Sequence, residues 1–318
     1  MKRIFPGFAA SLIASAAVAQ GYPSKPVRIV VPFAPGGAVD VVARAVGQRL
    51  SEQMGQPVVV ENRPGGNANI GADLVAKAAP DGYTVLMGAN GLATNMALYK
   101  SLPFDTLRDF APVARVGYAP LVLVVPSRSP SKSLQELIAA AKAKPGSLNY
   151  GSAGNGSSGH LATELLRAKT GIDVVHVPYK GGGPALTDLV GERLSFMLIN
   201  PLEAIPHLKS QRLRALAVAA PKRMAMLPDV PTFAEAGLAG YDASVWWGLV
   251  APAKTPPEAL AKLGAETLKA LEDPGVREKL SALGAVVDPQ GPEAFGRFLK
   301  DEIDKWAQVI KAAAIQPD

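Results

Sequence analysis

The sequence predicts a two-lobed α/β protein with largely parallel sheets. Short β-branched runs alternate with amphipathic helical segments along the chain, which is typical of sheets covered by helices. At 318 residues the chain is long enough for two domains, each with its own core. Apolar residues make up 48% of the chain and charged residues 19%, which indicates a globular rather than a disordered protein.

The first nineteen residues have the layout of a secretory signal peptide. Lys2 and Arg3 precede an apolar stretch that ends in the small-x-small triplet Ala-Val-Ala at 17–19. An uncleaved membrane anchor is the alternative, but the stretch is short for a membrane span and contains a proline and a glycine. We therefore expect residues 1–19 to be removed and the mature protein to be exported.

Charge and residue usage exclude several kinds of site. The chain has no cysteine, which rules out disulfides, thiolate metal sites and a cysteine nucleophile. Its 33 basic and 27 acidic residues are dispersed, without the basic stripe and interleaved aromatics of a nucleic-acid surface. His160, His176 and His207 lack metal-ligand spacing. We expect no nucleic-acid partner, no metal and no other cofactor.

Residues 20–120, together with residues 243–318, are predicted to form the first lobe. Its strands are expected where β-branched runs are bounded by turn residues. Between the first two runs, valines recur at helical spacing and predict a helix from about Val39 to Met54. The predicted strands are VRIVV (27–31), PVVVE (57–61) and YTVLMG (83–88).

Residues 121–242 are predicted to form the second lobe. Ser133 and Glu136 have the spacing of a capping box, so a helix should begin there. The segment VPYKGGGPA predicts a further strand-to-helix turn, with Pro184 at the first helical position. The predicted strands are LVLVVP (121–126), LNYG (148–151), VVHVP (174–178), LSFMLI (194–199) and LRALAV (213–218).

The C-terminal part has too few strand signals to form a domain. SVWWGLVAP (244–252) reads as a strand, and a second capping box, Thr255 with Glu258, should begin the helix that follows. Two further helices are predicted, the first of them opened by Asp273 and a proline. This tail should pack on the first lobe, so the chain would cross between lobes near residues 120 and 243, and the two crossings would act as a hinge.

A glycine-rich loop between a strand and a helix occurs once in each lobe. The first loop is PFAPGG (32–37) and the second is SAGNGSS (152–158), and neither contains Lys or Arg. Glycine lets backbone approach a ligand closely, and a helix start offers N–H groups and partial positive charge that bind anions. The two loops therefore predict a site that holds a small carboxylate from both lobes. The alternative is that both are ordinary connections.

Two enzyme-like patterns overlap the second loop. Gly154 to Gly159 match G-x-G-x-x-G, but the acidic residue expected at the end of the next strand of a dinucleotide site is missing. Ser152 or Ser157 with His160 could form a hydrolase pair, although the G-x-S-x-G elbow is absent and no acid is placed to orient His160. His176, mid-strand, is expected in the core. A hydrolase stays the alternative function.

Several long motifs, in one order along the mature chain, resemble the receptors of tripartite tricarboxylate transporters, the Bug or TctC-type proteins of Gram-negative bacteria. These motifs are YPSKPVRIVVPFAPGG with Asp40, ENRPGG, PDGYTVLMG, NYGSAGNGSSGHLATELL, VPYKGGGPALTDL, LRALAV followed by LPDVPTFAEAG, and WWGLVAP.

The resemblance implies a type II periplasmic-binding-protein fold that closes a central cleft on a small carboxylate, partly through ordered water. It also implies a monomer in the periplasm that is not an enzyme and docks on a membrane permease of one large and one small subunit, unless the receptor is an orphan. A sensor subunit for a membrane kinase is a further alternative. The ligand-binding residues implied are Phe33, Gly36, Gly37, Asp40, Ser152, Gly154, Gly156, Ser157 and His160, with Asn90, Tyr179 and Asn200 at the cleft edge.

Two departures from the family pattern concern the ligand. Val39 stands where many members have Thr or Ser, which removes a hydroxyl contact, and Ile199 stands where many carry an acidic residue. The second change argues against a ligand with an amino group. Both departures leave the expected fold unchanged.

Overall fold

The computed structural model describes residues 21–241, 243–282, 284–312 and 314–315. The predicted signal peptide, residues 1–19, lies outside the described residues. Within the described ranges, no helix is both long enough and apolar enough to span a bilayer.

Strands and helices alternate through most of the described chain. The strands are β1 (Val27–Val31), β2 (Val58–Asn62), β3 (Thr84–Gly88), β4 (Phe110–Pro120), β5 (Val122–Pro126), β6 (Asn149–Ser152), β7 (Val175–Pro178), β8 (Met197–Ile199), β9 (Leu213–Val218), β10 (Ser244–Pro252) and β11 (Val286–Gln290). The helices are α1 (Ala38–Met54), α2 (Asn69–Ala76), α3 (Gly91–Leu98), α4 (Thr106–Asp109), α5 (Leu134–Ala143), α6 (Ser158–Thr170), α7 (Gly182–Val190), α8 (Pro201–Lys209), α9 (Pro257–Ala270), α10 (Pro274–Ser281) and α11 (Pro292–Ala312).

The first lobe is built on a six-stranded sheet with the order β11-β4-β10-β3-β1-β2. β1 is parallel to β2 and β3, whereas β10 runs antiparallel between β3 and β4. Strands from both ends of the chain therefore share one sheet. Trp246 and Trp247 on β10 point to opposite faces, and both side chains are fully buried.

The second lobe contains a three-stranded sheet, β8-β5-β9, and the parallel pair β6-β7. A parallel bridge between Tyr150 and Phe196 joins β6 to β8. Because β6, β7 and β8 run in the same direction, their carboxyl ends meet at one edge. β5 lies antiparallel between β8 and β9. Its first residue, Val122, pairs with Ile199 at the end of β8 and with Val218 at the end of β9, so β5 begins and β9 ends at that same edge.

The chain crosses between the lobes twice, and the crossings lie side by side. Leu121 N–H donates to the carbonyl of Ala243 at 3.0 Å, and Ala219 N–H donates to the carbonyl of Leu121 at 2.8 Å. The lobe boundaries at residues 120 and 243 stay a prediction.

Two predicted helix starts are wrong. Helix α9 begins at Pro257 with Pro256 as its cap, and Thr255 Oγ1 is buried without a hydrogen-bond partner in the described part of the chain. The spacing predicts Thr255 as the cap, but with two consecutive prolines the helix starts one residue later than expected. Helix α7 begins at Gly182, which places Pro184 at the third helical position. The Ser133 cap, by contrast, is confirmed: Ser133 Oγ accepts the Glu136 N–H at 3.2 Å.

Candidate functional site

Six helix starts, three from each lobe, lie at the edges where the two sheets face each other. Helices α1, α2 and α3 follow the carboxyl ends of β1, β2 and β3, and helices α6, α7 and α8 follow those of β6, β7 and β8. The first four N–H groups of a helix have no partner within the helix. The cleft therefore has an excess of hydrogen-bond donors and positive helix-dipole ends, which suits an anion.

Asp40 shapes the first glycine-rich loop from within. Its side chain is 4% exposed. The carboxylate accepts the Gly36 N–H at 2.9 Å and an Asn62 amide N–H at 2.9 Å, and it pairs with Arg44. Burial alone would raise the pKa of Asp40, but hydrogen bonds from Arg44, Gly36 and Asn62 outweigh burial and lower it. The same amide group of Asn62 also donates to the carbonyl of Phe33 at 3.1 Å. The predicted ligand residue Asp40 thus holds the loop in place.

The start of α1 has no side-chain cap. Its N-cap is Gly37 in extended conformation, while Gly36 has a φ of 83°, the left-handed region that glycine adopts without strain. Phe33, Asn69 and Gly91 are among the residues that line a cavity of about 10 Å³ beside this loop. A cavity of this size has room for about one water.

The second loop is fixed by its own polar groups. Ser152 Oγ donates to the carbonyl of Gly154 at 3.0 Å, accepts the Gly154 N–H at 3.1 Å and is hydrogen-bonded to His176 Nε2 at 2.7 Å. The Gly156 N–H donates to His160 Nδ1 at 2.9 Å. The N–H groups of both predicted ligand glycines are therefore engaged inside the loop, and direct donation from them to a ligand stays a prediction.

His160 is held in the neutral form. Because Nδ1 accepts a hydrogen bond, the proton of the neutral ring lies on Nε2. Burial, together with the charge of Arg167, lowers the pKa of His160 to about 4. The His160 ring stacks on the His176 ring with centroids 4.0 Å apart. His160 is buried, whereas His176, expected in the core, is only half-buried. The Nδ1 of His160 is not available as a base for Ser157, which weighs against the predicted hydrolase pair.

Two buried donors at the cleft edge lack partners. Ser157 Oγ, at the cap of α6, and Asn200 Nδ2, at the cap of α8, have no hydrogen-bond partner among the residues that the structure describes. Asn200 is 6% exposed, and its Oδ1 accepts the Leu202 N–H at 3.0 Å, which fixes the direction of the amide. A buried polar group left unpaired costs about 1–3 kcal/mol. A bound acceptor would remove that cost at both positions.

The side chains of the other two predicted edge residues, Asn90 and Tyr179, are hydrogen-bonded within the protein. Asn90 donates to the carbonyl of Ser244 at 2.9 Å and accepts the Trp246 N–H at 3.1 Å, so it ties the start of α3 to β10. Tyr179 Oη donates to Asp188 at 2.7 Å. Any direct contact of Asn90 or Tyr179 with a ligand stays a prediction.

The lobes touch at Gly156, and the residues on the first-lobe side were missed by sequence reasoning. Thr94 Oγ1 donates to the carbonyl of Gly156 at 3.4 Å. A Cβ on Gly156 would overlap Leu98 Cδ2 and would lie 2.9 Å from Asn67 Nδ2, and Asn67 in turn donates to Asn95 at 3.0 Å. In the sequence, the only sign of these residues is Asn67, which directly follows ENRPGG but belongs to no recognisable motif.

We expect His160 to make folding stability depend on pH. Its pKa in the folded protein lies below its ordinary value of about 6.5, so the contribution is complete above that pH and is lost as the pH falls toward 4. The loss should be on the order of 3 kcal/mol. In His160→Gln, whose amide oxygen can still accept the Gly156 N–H, urea unfolding should show a flatter pH profile. Parallel profiles for the two proteins would contradict this.

The comparisons with known proteins agree with this geometry. Residues 42–315 match the family model described as "TctC: Tripartite tricarboxylate transporter family receptor". Protein BugT from Bordetella pertussis is 40% identical over 301 residues, which cover 94% of this chain and 92% of BugT.

Two solved structures superpose closely. "R. palustris Rpa4515 with adipate" has a TM-score of 0.89 and 38% identity, and the match covers 93% of this chain and 100% of that one. "MatC (Rpa3494) from Rhodopseudomonas palustris with bound malate" has a TM-score of 0.85 and 36% identity, covering 91% and 100%.

Two α/β lobes, two adjacent crossings and a cleft lined by helix starts define a solute-binding protein of the type II periplasmic-binding-protein fold. The chain belongs to the tripartite tricarboxylate transporter receptor family, TctC, and it is similar to the Bug proteins. The predicted fold class and the predicted family are both confirmed.

Proposed function

We propose that this receptor closes on a small organic acid and delivers it to the membrane subunits of a tripartite tricarboxylate transporter. The observation that carries the proposal is the pair of unpartnered buried donors, Ser157 Oγ and Asn200 Nδ2, at two helix starts of the cleft. A carboxylate has two oxygens with about four acceptor sites, so it can serve several donors at once. Helix starts supply the remaining donors without a cationic side chain.

Three or four hydrogen bonds from the cleft to a carboxylate are enough for micromolar binding. Each hydrogen bond to a charged group contributes roughly 1.5–3 kcal/mol, so three or four account for a dissociation constant near 1 μM, about −8.2 kcal/mol. The similar structures hold adipate and malate, which supports an acid as the ligand here. Ile199 is buried and apolar, so it offers no carboxylate to an amino group, which favours an acid without one.

The proposal also states where the protein acts, that it is a monomer, and that it is not a hydrolase. One similar structure is named a periplasmic binding protein, which supports a periplasmic location. The proposal is that this chain acts there as a monomer and docks on a permease after export. Hydrolysis is disfavoured because His160 Nδ1 accepts the Gly156 N–H and Ser152 is bonded to His176. No catalytic role is assigned to these serines.

Native mass spectrometry of the freshly purified mature protein tests the proposal. We expect a co-purifying acid, and isothermal titration of stripped protein with acids of three to eight carbons should show at least one that binds near 1 μM. Binding should survive EDTA and reductant, since neither a metal nor a thiol takes part. No bound acid and no binding from such a panel would refute the carboxylate site. Ester turnover abolished by Ser157→Ala would favour the hydrolase instead.

Loss of either unpartnered donor should weaken binding. Ser157→Ala removes one donor, and Asn200→Leu removes one donor together with the Oδ1 acceptor that caps α8. Each should raise the dissociation constant about tenfold, the equivalent of one charge-assisted hydrogen bond. Ser133→Ala is a matched control, because it removes a serine cap from α5, away from the helix starts of the cleft. It should lower stability by about 1 kcal/mol and leave affinity unchanged. Equal affinities for all four proteins would contradict the assignment.

A further inference from the structure

Glu203 brings an unpaired carboxylate to the helix starts of the second lobe. It is the third residue of α8, and its Oε2 occupies the place that a Cβ on Gly182, the first residue of α7, would take. Among the described residues, no hydrogen bond or ion pair reaches this carboxylate. The side chain therefore lies against the start of α7 as a lone acid.

Glu203 has a raised pKa because its carboxylate is desolvated and has no partner in the described part of the chain. Desolvation raises the pKa of Glu203 to about 7, and no charged neighbour is a cause of the shift. Glu203 is half-buried, and a carboxylate that folding withdraws from water normally has a partner. In this position the missing partner is one that a ligand can supply.

Glu203 borders the proposed carboxylate site. β6 and β7 are paired neighbours, about 4.8 Å apart, so the loop before α7 adjoins the second glycine-rich loop. A Cβ on Gly154 would lie 3.2 Å from the carbonyl of Tyr179 in that loop. Asn200, with its unpartnered Nδ2, caps the same helix three residues before Glu203.

The start of α8 also faces the first lobe. A Cβ on Gly284, between α10 and β11, would lie 2.7 Å from Pro201 Cγ at the first position of α8. The first residue of α8 therefore packs against the first lobe. A ligand held in the cleft and reaching along it toward α7 would meet Glu203.

We propose that Glu203 is a specificity residue of the carboxylate site, an inference that rests on the proposed function. Its carboxylate lies against the start of α7, so it rejects a ligand whose far end is a second carboxylate and favours one whose far end is a hydroxyl. Two carboxylates at one helix start repel each other, whereas a hydroxyl donates a hydrogen bond to the acid. Selection thus arises from repulsion of the wrong ligand as well as attraction of the right one.

Isothermal titration at pH 8.5 tests this with two matched series of three to eight carbons, ω-hydroxy monocarboxylates and dicarboxylates. Wild-type protein should bind the best hydroxy acid about tenfold more tightly than the dicarboxylate of equal length, a difference equal to about one pKa unit of interaction. Glu203→Gln should remove most of that preference, chiefly by tightening dicarboxylate binding. Glu258→Gln, a change of an exposed acid in the first turn of α9, is the matched control and should keep the preference.

A second comparison uses wild-type protein alone, so that the test does not depend on whether Glu203→Gln folds. Wild-type protein should bind the monomethyl ester of the dicarboxylate more tightly than the dicarboxylate itself. A preference for dicarboxylates in wild-type protein, or a preference that Glu203→Gln leaves unchanged, would overturn the role of Glu203 alone. Failure of every acid in both series would overturn the proposed function with it.

Discussion

Gly156→Ala should weaken ligand binding by between about fivefold and 150-fold, the range that an overpacked contact of about 1–3 kcal/mol predicts. The added Cβ would overlap Leu98 Cδ2, and Leu98 is 3% exposed within the first-lobe core, so it has little room to move. The clash exists only when the lobes meet. The substitution therefore acts on closure, and the measurement is titration with the acid that binds the wild-type protein most tightly.

Gly171→Ala separates the clash from backbone strain. Gly156 has a φ of 72° and Gly171, at the end of α6, a φ of 69°, so alanine costs about 1 kcal/mol of strain at either position. A Cβ on Gly171 would meet nothing within 4 Å. We expect Gly171→Ala to lower stability and keep affinity. Equal losses of affinity in both variants would show that strain, not closure, is responsible.

Asp40→Ala should lower the free energy of unfolding by about 2–3 kcal/mol and reduce affinity by more than tenfold. The substitution removes the charged acceptor of the Gly36 N–H and of the Asn62 amide, and a hydrogen bond to a charged group contributes about 1.5–3 kcal/mol. Arg44 is half exposed, so its pairing with Asp40 adds little. Urea unfolding gives the stability, and titration with the bound acid gives the affinity.

Asp304→Ala is the control for loss of an aspartate from a helical ion pair. Asp304 pairs with Lys300 on α11, and both side chains are exposed. We expect a change within about 0.5 kcal/mol and no change in affinity. The Asp40 contribution should also disappear in acid, since its lowered pKa stabilises the fold above about pH 4 and is lost as the pH falls through the folded-state value. A stability of Asp40→Ala equal to that of wild type would contradict the loop role.

Local patterns predicted the alternating strands and helices well, because burial and turn chemistry act over short distances. LRALAV and SVWWGLVAP match β9 and β10 residue for residue. β4 and β11 were not predicted. Both pair with distant partners, and β11 lies at the sheet edge where its side chains are mostly half buried, so its alternation is weak in the sequence.

The two glycine-rich loops were recognised from sequence because glycines and a following helix leave a clear local signal. The internal role of His160 was not, because the group that it holds, the Gly156 N–H, is defined only once the loop is folded. The same holds for Glu203, whose neighbour Gly182 is on another helix. Which backbone donors remain for a ligand is a three-dimensional property.

A crystal structure of the protein with the acid that binds most tightly tests the central claim most directly. We expect a carboxylate between the starts of α1 and α6, accepting from Ser157 Oγ and from N–H groups of the first turn of α1, directly or through one water. A carboxylate held instead by Lys180 or another cationic side chain, or bound to one lobe with the cleft open, would contradict the account.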